Sequence, residues 1–268
     1  MNTKLTWVIQ DNLGASEDIG KLKDFIKVLG YGCRGIKVVP FDDTPPSIEV
    51  DGKVIFYGST TLVKNVAAAK KWTPGVWFNP QNYEFQFILN GFGKENLLNG
   101  DSALYTVQEL LDNNLFSNDE MLFVRPAADL KEFAGFVSEY SEIKDRFKFV
   151  GSSNGPLSFD TVVQVAAPKN IESEYRTFVV DGRVVTYSQY KYRGNLCMKG
   201  ELPSQVIEFA KEMALKHQPE QVYTLDVCEM SNGSIKVIET NTFNCSGLYW
   251  CDLHKLVSEV SKFAATSP

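Results

Sequence analysis

Histidine is nearly absent: His217 and His254 are the only two in 268 residues. That is too few for a multi-histidine zinc or iron centre, so any metal here must be held by oxygen donors. The five cysteines (Cys33, Cys197, Cys228, Cys245 and Cys251) are odd in number and include no CxxC pair. A zinc ribbon and a complete disulfide framework are both disfavoured, and reduced thiols are expected. No apolar run approaches the roughly 20 residues that span a bilayer. The first residues, MNTKLTWVIQDN, lack a basic region leading into a long apolar stretch, so a soluble, cytoplasmic protein is expected. Excess positive charge is also missing. Lys and Arg total 27 against 33 Asp and Glu, a net charge of −6, which argues against general nucleic-acid binding.

What is present is a globular composition, 44% hydrophobic and 22% charged, in a chain long enough for one large domain or two ordinary ones. The first third alternates strand and helix signals: strands at 5–9, 36–41 and 54–57, and helices at 16–29 and from Gly58-Ser59 through Lys70. This pattern predicts a small α/β unit with a largely parallel sheet. Residues 72–92 are rich in aromatics and broken by Pro74, Pro80 and Gly91, with core packing as the expected role for most of the rings. TVQELLDN (106–113) predicts a short helix. A polar break at 117–120 divides the expected domains into 1–118 and 119–268.

The second half is α+β in pattern. Asp181-Gly182 and Asn232-Gly233 each interrupt two β-rich runs, and both pairs suit two-residue type I′ turns. An amphipathic helix (204–217) lies between these hairpins, with His217 as a C-cap where a cation would stabilise the helix end. With Asn232-Gly233 as the loop, Asp226 falls opposite Glu239, Val227 opposite Ile238 and Glu229 opposite Lys236. The period of two puts Asn241 on the face of Glu239. Two carboxylates facing each other on a sheet repel unless a shared proton or a divalent cation intervenes. Asp226, Glu239 and the Asn241 amide make three hard oxygen donors suited to Mg²⁺; a register slip or a solvent-exposed carboxylate is the bland alternative. The first hairpin sets Glu174 opposite Gln189 and Arg176 opposite Tyr187. Arg176 could hold a phosphate or carboxylate oxygen, although an arginine beside a glutamate in a strand reads by itself as a surface ion pair.

Three blocks in order, FVRPAADLKEFAG (123–135), SEYRTFVVDGRVVTYSQY (173–190) and LDVCEM…KVIETN (225–241), resemble an ATP-grasp enzyme. They are most similar to the phage and bacterial clade named for two arginines and a lysine. The resemblance covers roughly residues 50–250. It implies an ATP-grasp fold with an N-terminal α/β pre-ATP-grasp domain and C-terminal antiparallel sheets enclosing the nucleotide. It further implies that Asp226, Glu239 and Asn241 hold Mg²⁺ on the phosphates of ATP, and that Arg125 and Lys131 contact phosphates. Arg176 is implied to meet the γ-phosphate or the acyl-phosphate formed from it. Gln164, Val165 and Ala166 resemble the hinge that reads adenine, and Glu174 is implied to orient Arg176. Arg125-Pro126 stands where the commonest ATP-grasp pattern has Lys-Pro.

The activity so implied is an ATP- and Mg²⁺-dependent carboxylate–amine ligase acting on small-molecule or peptide substrates. Such chemistry needs positioning and charge neutralisation more than a protein nucleophile. A kinase with a hydroxyl acceptor and a non-catalytic nucleotide-binding protein are the alternatives. Three lesser signals carry less weight. Lys131-Glu-Phe-Ala-Gly135 lacks the aspartate of a lysyl-AMP motif. Cys245-Ser246-Gly247 follows Asn241 closely and reads as a plain turn, with approach to the phosphates through backbone amides as the alternative. Tyr190-Lys191-Tyr192-Arg193-Gly194 reads as a loop, either mobile over an acceptor or simply solvated.

Overall fold

The computed structural model describes residues 4–13, 16–38, 44, 47–128, 133–150 and 157–267. The N-terminal alternation is realised as β1 (Leu5–Gln10), α1 (Ser16–Val28), β2 (Gly32–Ile36), β3 (Lys53–Tyr57), α2 (Thr60–Ala69) and the short β4 (Pro74–Gly75). The four strands form a parallel sheet in the order β2-β1-β3-β4. Ser59 caps α2 by accepting the Leu62 N–H at 3.4 Å, which is why that helix starts where the sequence predicts. The second strand is Gly32–Ile36, meeting the expected 36–41 only at Ile36; residues 39–41 lie outside the described residues. Gly32 opposes Thr6, and a Cβ there would sit 2.5 Å from the Thr6 hydroxyl. Close approach to β1, rather than β-propensity, therefore selects this glycine-containing segment as a strand.

The middle of the chain contains α3 (Phe85–Phe92), β5 (Ala103–Thr106), α4 (Val107–Asp112), β6 (Met121–Pro126), β7 (Phe136–Glu139), α5 (Tyr140–Phe147) and β8 (Val162–Ala166). Its antiparallel sheet has the order β5-β8-β6-β7. The short helix expected from TVQELLDN forms as α4, and Thr106 and Glu109 close a capping box at its start. Alternate strand residues (Leu122, Val124, Val163, Val165) pack on Leu110, Tyr140, Ile143 and Phe147.

The last hundred residues supply β9 (Ile171–Val180), β10 (Arg183–Tyr192), β11 (Asn195–Lys199), α6 (Ser204–Lys216), β12 (Val222–Met230), β13 (Ile235–Thr242) and α7 (Leu253–Thr266). The sheet order is β11-β10-β9-β12-β13, antiparallel throughout. His217 does end α6, its N–H donating to Met213 O at 3.0 Å. Burial lowers its pKa, so at neutral pH it does not bring the cation expected at that helix end.

Packing divides the chain into two units, residues 1–79 with 171–268, and residues 80–170. These units do not coincide with a division at 118. The first is discontinuous because Trp7, Ile9 and Ile55 of the parallel sheet share one core with Phe178 and Val222 of the five-stranded sheet, Phe243, and Leu256 and Val260 of α7. Trp77 joins that core and Trp72 stacks on Phe56, the packing role expected for the aromatics after residue 72.

None of the five cysteines is in a disulfide. Burial pushes the thiols of Cys228 and Cys251 up to about 12. Alkylation with iodoacetamide at pH 8 should therefore leave these two unmodified in the native protein and modify all five in urea. Native labelling of Cys228 or Cys251, read by peptide mass spectrometry, would contradict the packing described.

Candidate functional site

The site is built on β9, β12 and β13. The turn between β9 and β10 is the expected two-residue loop, with Asp181 at φ 49° and Gly182 at φ 71°. Val180 pairs with Arg183 across it. Beyond it the register departs from expectation, because β10 carries two bulges, after Val184 and after Gln189. Each bulge adds one residue to β10. Arg176 therefore faces Ser188 rather than Tyr187, and Glu174 faces Lys191 rather than Gln189.

The second hairpin differs in a compensating way. Met230 N–H donates to Ser234 O and Gly233 N–H to Met230 O, both at 2.8 Å. The loop is thus three residues, Ser231 to Gly233, with positive φ at Gly233 and not at Asn232. This moves the pairs nearest the turn, so that Val227 faces Val237 and Glu229 faces Ile235 rather than Ile238 and Lys236. A bulge at Ile238 then restores the offset, and Asp226 faces Glu239 as expected, with Asn241 opposite Thr224.

Asp226 also has a neighbour on its other side, Arg176 of β9. Ser188, Arg176, Asp226 and Glu239 thus form a row across four adjacent strands, and paired residues share a sheet face. The guanidinium grips the carboxylate at two points, Nε to Oδ1 at 2.8 Å and Nη2 to Oδ2 at 2.7 Å. A third N–H, on Nη1, donates to Gly247 O at 3.1 Å. Arg176 is 8% and Asp226 1% exposed, so this ion pair is desolvated and far stronger than a surface pair. Burial raises the Asp226 pKa while Arg176 opposes the rise. Burial likewise opposes the charge on Arg176, but Asp226 outweighs it and holds the guanidinium fully protonated.

The like-charge problem in the hairpin is therefore relieved first by an arginine from a third strand. Glu239 is half-buried and accepts from Asn241 Nδ2 at 2.9 Å. Asp226, Glu239 and the Asn241 amide together still offer the oxygen donor types that suit a hard divalent cation completed by water or phosphate. Among the described residues, no group of three or more His, Cys, Asp and Glu is gathered to hold a metal. The row offers two carboxylates, and the Asn241 amide beside Glu239 is the further oxygen donor on that face.

Glu174 makes neither a hydrogen bond nor an ion pair with Arg176. Its carboxylate accepts from Tyr190 Oη at 2.7 Å and pairs with Lys191 Nζ at 3.3 Å. Tyr190 and Lys191 lie in β10, so that patch begins as strand rather than loop. Ser188 is fully buried with a hydroxyl that has no hydrogen-bond partner. Asn244, also fully buried, ties the segment after β13 in place. It accepts from Trp77 N at 2.9 Å and donates to Phe56 O at 2.6 Å. Sequence spacing gives no signal for Ser188 or Asn244, since both matter through neighbours distant along the chain.

The remaining expected residues belong to the other unit. Arg125 is half-buried on β6 and pairs with Gln164 on β8, so the two share a face. Val165 points to the opposite side, into the core. β8 lies between β5 and β6, and both Gln164 and Val165 are in register with partners on each side. Ala166 ends the strand. Lys131 lies outside the described residues.

Comparison with known proteins agrees with this architecture. No curated protein sequence matches the chain. Among solved structures it is similar to D-alanine–D-alanine ligase from Bacillus anthracis, at TM-score 0.61 and 12% identity over 98% of this chain and 97% of that one. It is also similar to a RimK-domain ATP-grasp protein from Sphaerobacter thermophilus, at 0.60 and 13% over 97% and 96%. A third is the ATP-grasp ligase PsnB, at 0.58 and 13% over 98% of both chains. Such identities establish the fold. The profile of an ATP-grasp domain, the third family of the clade named for two arginines and a lysine, matches residues 81–260. The chain belongs to that ATP-grasp family.

Proposed function

We propose that the protein is an ATP- and Mg²⁺-dependent ligase that activates a carboxylate as an acyl-phosphate for attack by an amine. The row formed by Arg176, Asp226, Glu239 and Asn241 on one sheet face carries this reading. It sets a fully protonated guanidinium beside three hard oxygen donors. Such a pairing suits the handling of phosphate oxygens and the cation that accompanies them. Two of the similar structures are complexes, B. anthracis D-alanine–D-alanine ligase with ATP and PsnB with a phosphomimetic precursor variant, Mg and ADP.

In the proposed reaction a substrate carboxylate oxygen attacks the γ-phosphorus. The bond to the β–γ bridging oxygen breaks and ADP leaves. The amine nitrogen then attacks the acyl carbon, phosphate departs and the nitrogen loses a proton to solvent. Mg²⁺, held by Asp226, Glu239 and Asn241, would neutralise phosphate charge. Of the five N–H groups of Arg176, three are committed to Asp226 and Gly247, which leaves two for an oxygen of the transferred phosphoryl group. Arg125 and Lys131 are assigned to phosphates, and the Gln164–Ala166 end of β8 to the base, from the family alone. Glu174 acts on Arg176 at one remove, through Tyr190. The substrates proposed are small-molecule or peptide carboxylates and amines.

The test is nucleotide-dependent stabilisation followed by trapping. Mg²⁺ and ATP at 100 times Kd should stabilise the protein by about 2.7 kcal/mol, and Glu239→Gln should lose the Mg²⁺-dependent part. Stabilisation by no nucleotide sinks the ATP site. With hydroxylamine as the acceptor and a carboxylate library, hydroxamate should form in step with ADP. A stable phosphorylated product without hydroxamate would instead identify a kinase.

A further inference from the structure

Two irregularities of the backbone converge on Arg176. The first is the bulge after Gln189 in β10, whose inserted residue is Tyr190. The second is Tyr249, a non-glycine residue at φ 50°. Positive φ is unusual for an aromatic residue and persists only where its surroundings over-determine it. Bulges beside functional groups commonly re-aim a side chain. Here both departures bring two rings face to face. The Tyr190 and Tyr249 centroids are 4.9 Å apart with 9° between planes. The Arg176 guanidinium carbon lies 5.8 Å from the first centroid and 5.1 Å from the second.

The segment that bears Tyr249 is folded back tightly on the same cation. Gly247 O accepts from Arg176 Nη1, and a Cβ on Gly247 would fall 3.3 Å from Tyr249 Cζ and 3.5 Å from that nitrogen. Its neighbours fix the segment in turn. Ser246 Oγ donates to Thr242 O at 2.7 Å, Tyr57 Oη donates to Ser246 O, and Asn244 is pinned as described. Tyr190 is fixed through its hydroxyl on Glu174.

We infer that Tyr249 and Tyr190 form an aromatic clamp that positions Arg176, making both tyrosines positioning residues for phosphoryl transfer. This rests on the proposed role of Arg176. Asp226 and Gly247 set where the guanidinium edge points, and the stacked pair of rings packs against the cation and limits its swing. Arg176 therefore meets a developing negative charge without reorganising, which is the condition under which a cation contributes most to catalysis. The left-handed Tyr249 is the local conformational cost of that arrangement.

Arg176 itself and its response to a phosphoryl mimic provide the test. Tyr249→Gly relieves the positive φ and removes the ring, whereas Tyr249→Phe keeps the ring. In nitrogen-15 NMR, the Arg176 Nε–H is assigned by its loss in Arg176→Lys. Its hydrogen exchange should be about tenfold faster in Tyr249→Gly and unchanged in Tyr249→Phe, as expected when a desolvated cation–π contact is lost. Calorimetry then compares Mg²⁺·ADP with Mg²⁺·ADP plus aluminium fluoride. Tyr249→Gly should weaken the fluoride complex about tenfold, the scale of a small misplacement, and leave Mg²⁺·ADP alone; Tyr249→Phe should match wild type in both. Unchanged exchange in Tyr249→Gly, equally fast exchange in Tyr249→Phe, or equal weakening of both complexes overturns the clamp. Wild-type protein that fails to bind Mg²⁺·ADP overturns the ATP site, while the NMR comparison still decides the clamp.

Discussion

Arg176→Met is expected to lower the stability of the folded protein by about 3–5 kcal/mol, the cost of leaving a buried charge without its partner. Met fills similar space, so the loss measures charge rather than volume. Asp226 is 1% exposed; Arg176 grips both its oxygens and Glu239 repels it. Without Arg176, burial and repulsion both act to raise the Asp226 pKa above the unfolded value of 3.8. An acid whose folded pKa is raised favours folding at low pH and loses that contribution as pH rises through the folded pKa. The deficit of Arg176→Met should therefore be largest at neutral pH and shrink on acidification. The double variant Arg176→Met with Asp226→Leu should recover most of the loss, because replacing both members of a buried pair is close to neutral. Urea titrations of the two variants at two pH values provide the measurement. A single-variant loss below about 1 kcal/mol, as for an exposed pair, would mean that the grip seen here does not persist in solution.

Phe243→Ala is expected to cost at least as much, about 3–5 kcal/mol for the cavity alone. Phe243 is fully buried and meets four rings: Trp7 at 6.1 Å, Tyr57 at 5.8 Å, Trp77 at 6.1 Å and Phe178 at 6.4 Å, all inclined by 65° or more. Edge-to-face pairs of this kind add about 0.5–1.5 kcal/mol each beyond the area they bury. The four rings belong to or adjoin β1, β3, β4 and β9, so the residue joins the parallel sheet to the five-stranded one. Phe243→Leu should retain much of the stability, since the site keeps an apolar occupant. The position also precedes Asn244 and the strap that reaches Arg176. Loss of the Mg²⁺·ATP response in Phe243→Ala, at a temperature where the variant remains folded, would show that this core also supports the site. Thermal unfolding with and without nucleotide reads both effects. A fall of less than about 1 kcal/mol would mean that the ring cluster is not the junction it forms here.

Much of the local structure was legible in the sequence for local reasons. The TVQELLDN run became a short helix, Asp181-Gly182 a two-residue turn, and residues 204–216 a helix with Val206, Ala210, Met213 and Ala214 buried. Each depends on residues within a few positions of one another. The Asp226–Glu239 pair was legible in part by cancellation. The Asn232-Gly233 loop has one residue more than the simplest turn, and the bulge at Ile238 returns the register before the acidic pair is reached. On β10 the bulges did not cancel, and both pairs expected there shifted. A bulge costs little and leaves no fixed signature in sequence, so counting from a turn loses accuracy with distance.

The sequence by itself determined the chemistry available to this protein. Two histidines and five cysteines without a CxxC pair point to oxygen donors for any metal, and three ordered blocks carry the ATP-grasp pattern that family membership establishes. Only the tertiary structure decided how that chemistry is held. Pairing of β9 with β12 brings Arg176 onto Asp226 across 50 residues, and the return of the chain after β13 sets Gly247 and Tyr249 against the same guanidinium. The physical reason is that charge and propensity belong to residues, whereas desolvation belongs to contacts. Arg176 beside Glu174 in sequence looks like a surface pair; buried beside Asp226 and two aromatic rings, it is a fixed, desolvated cation.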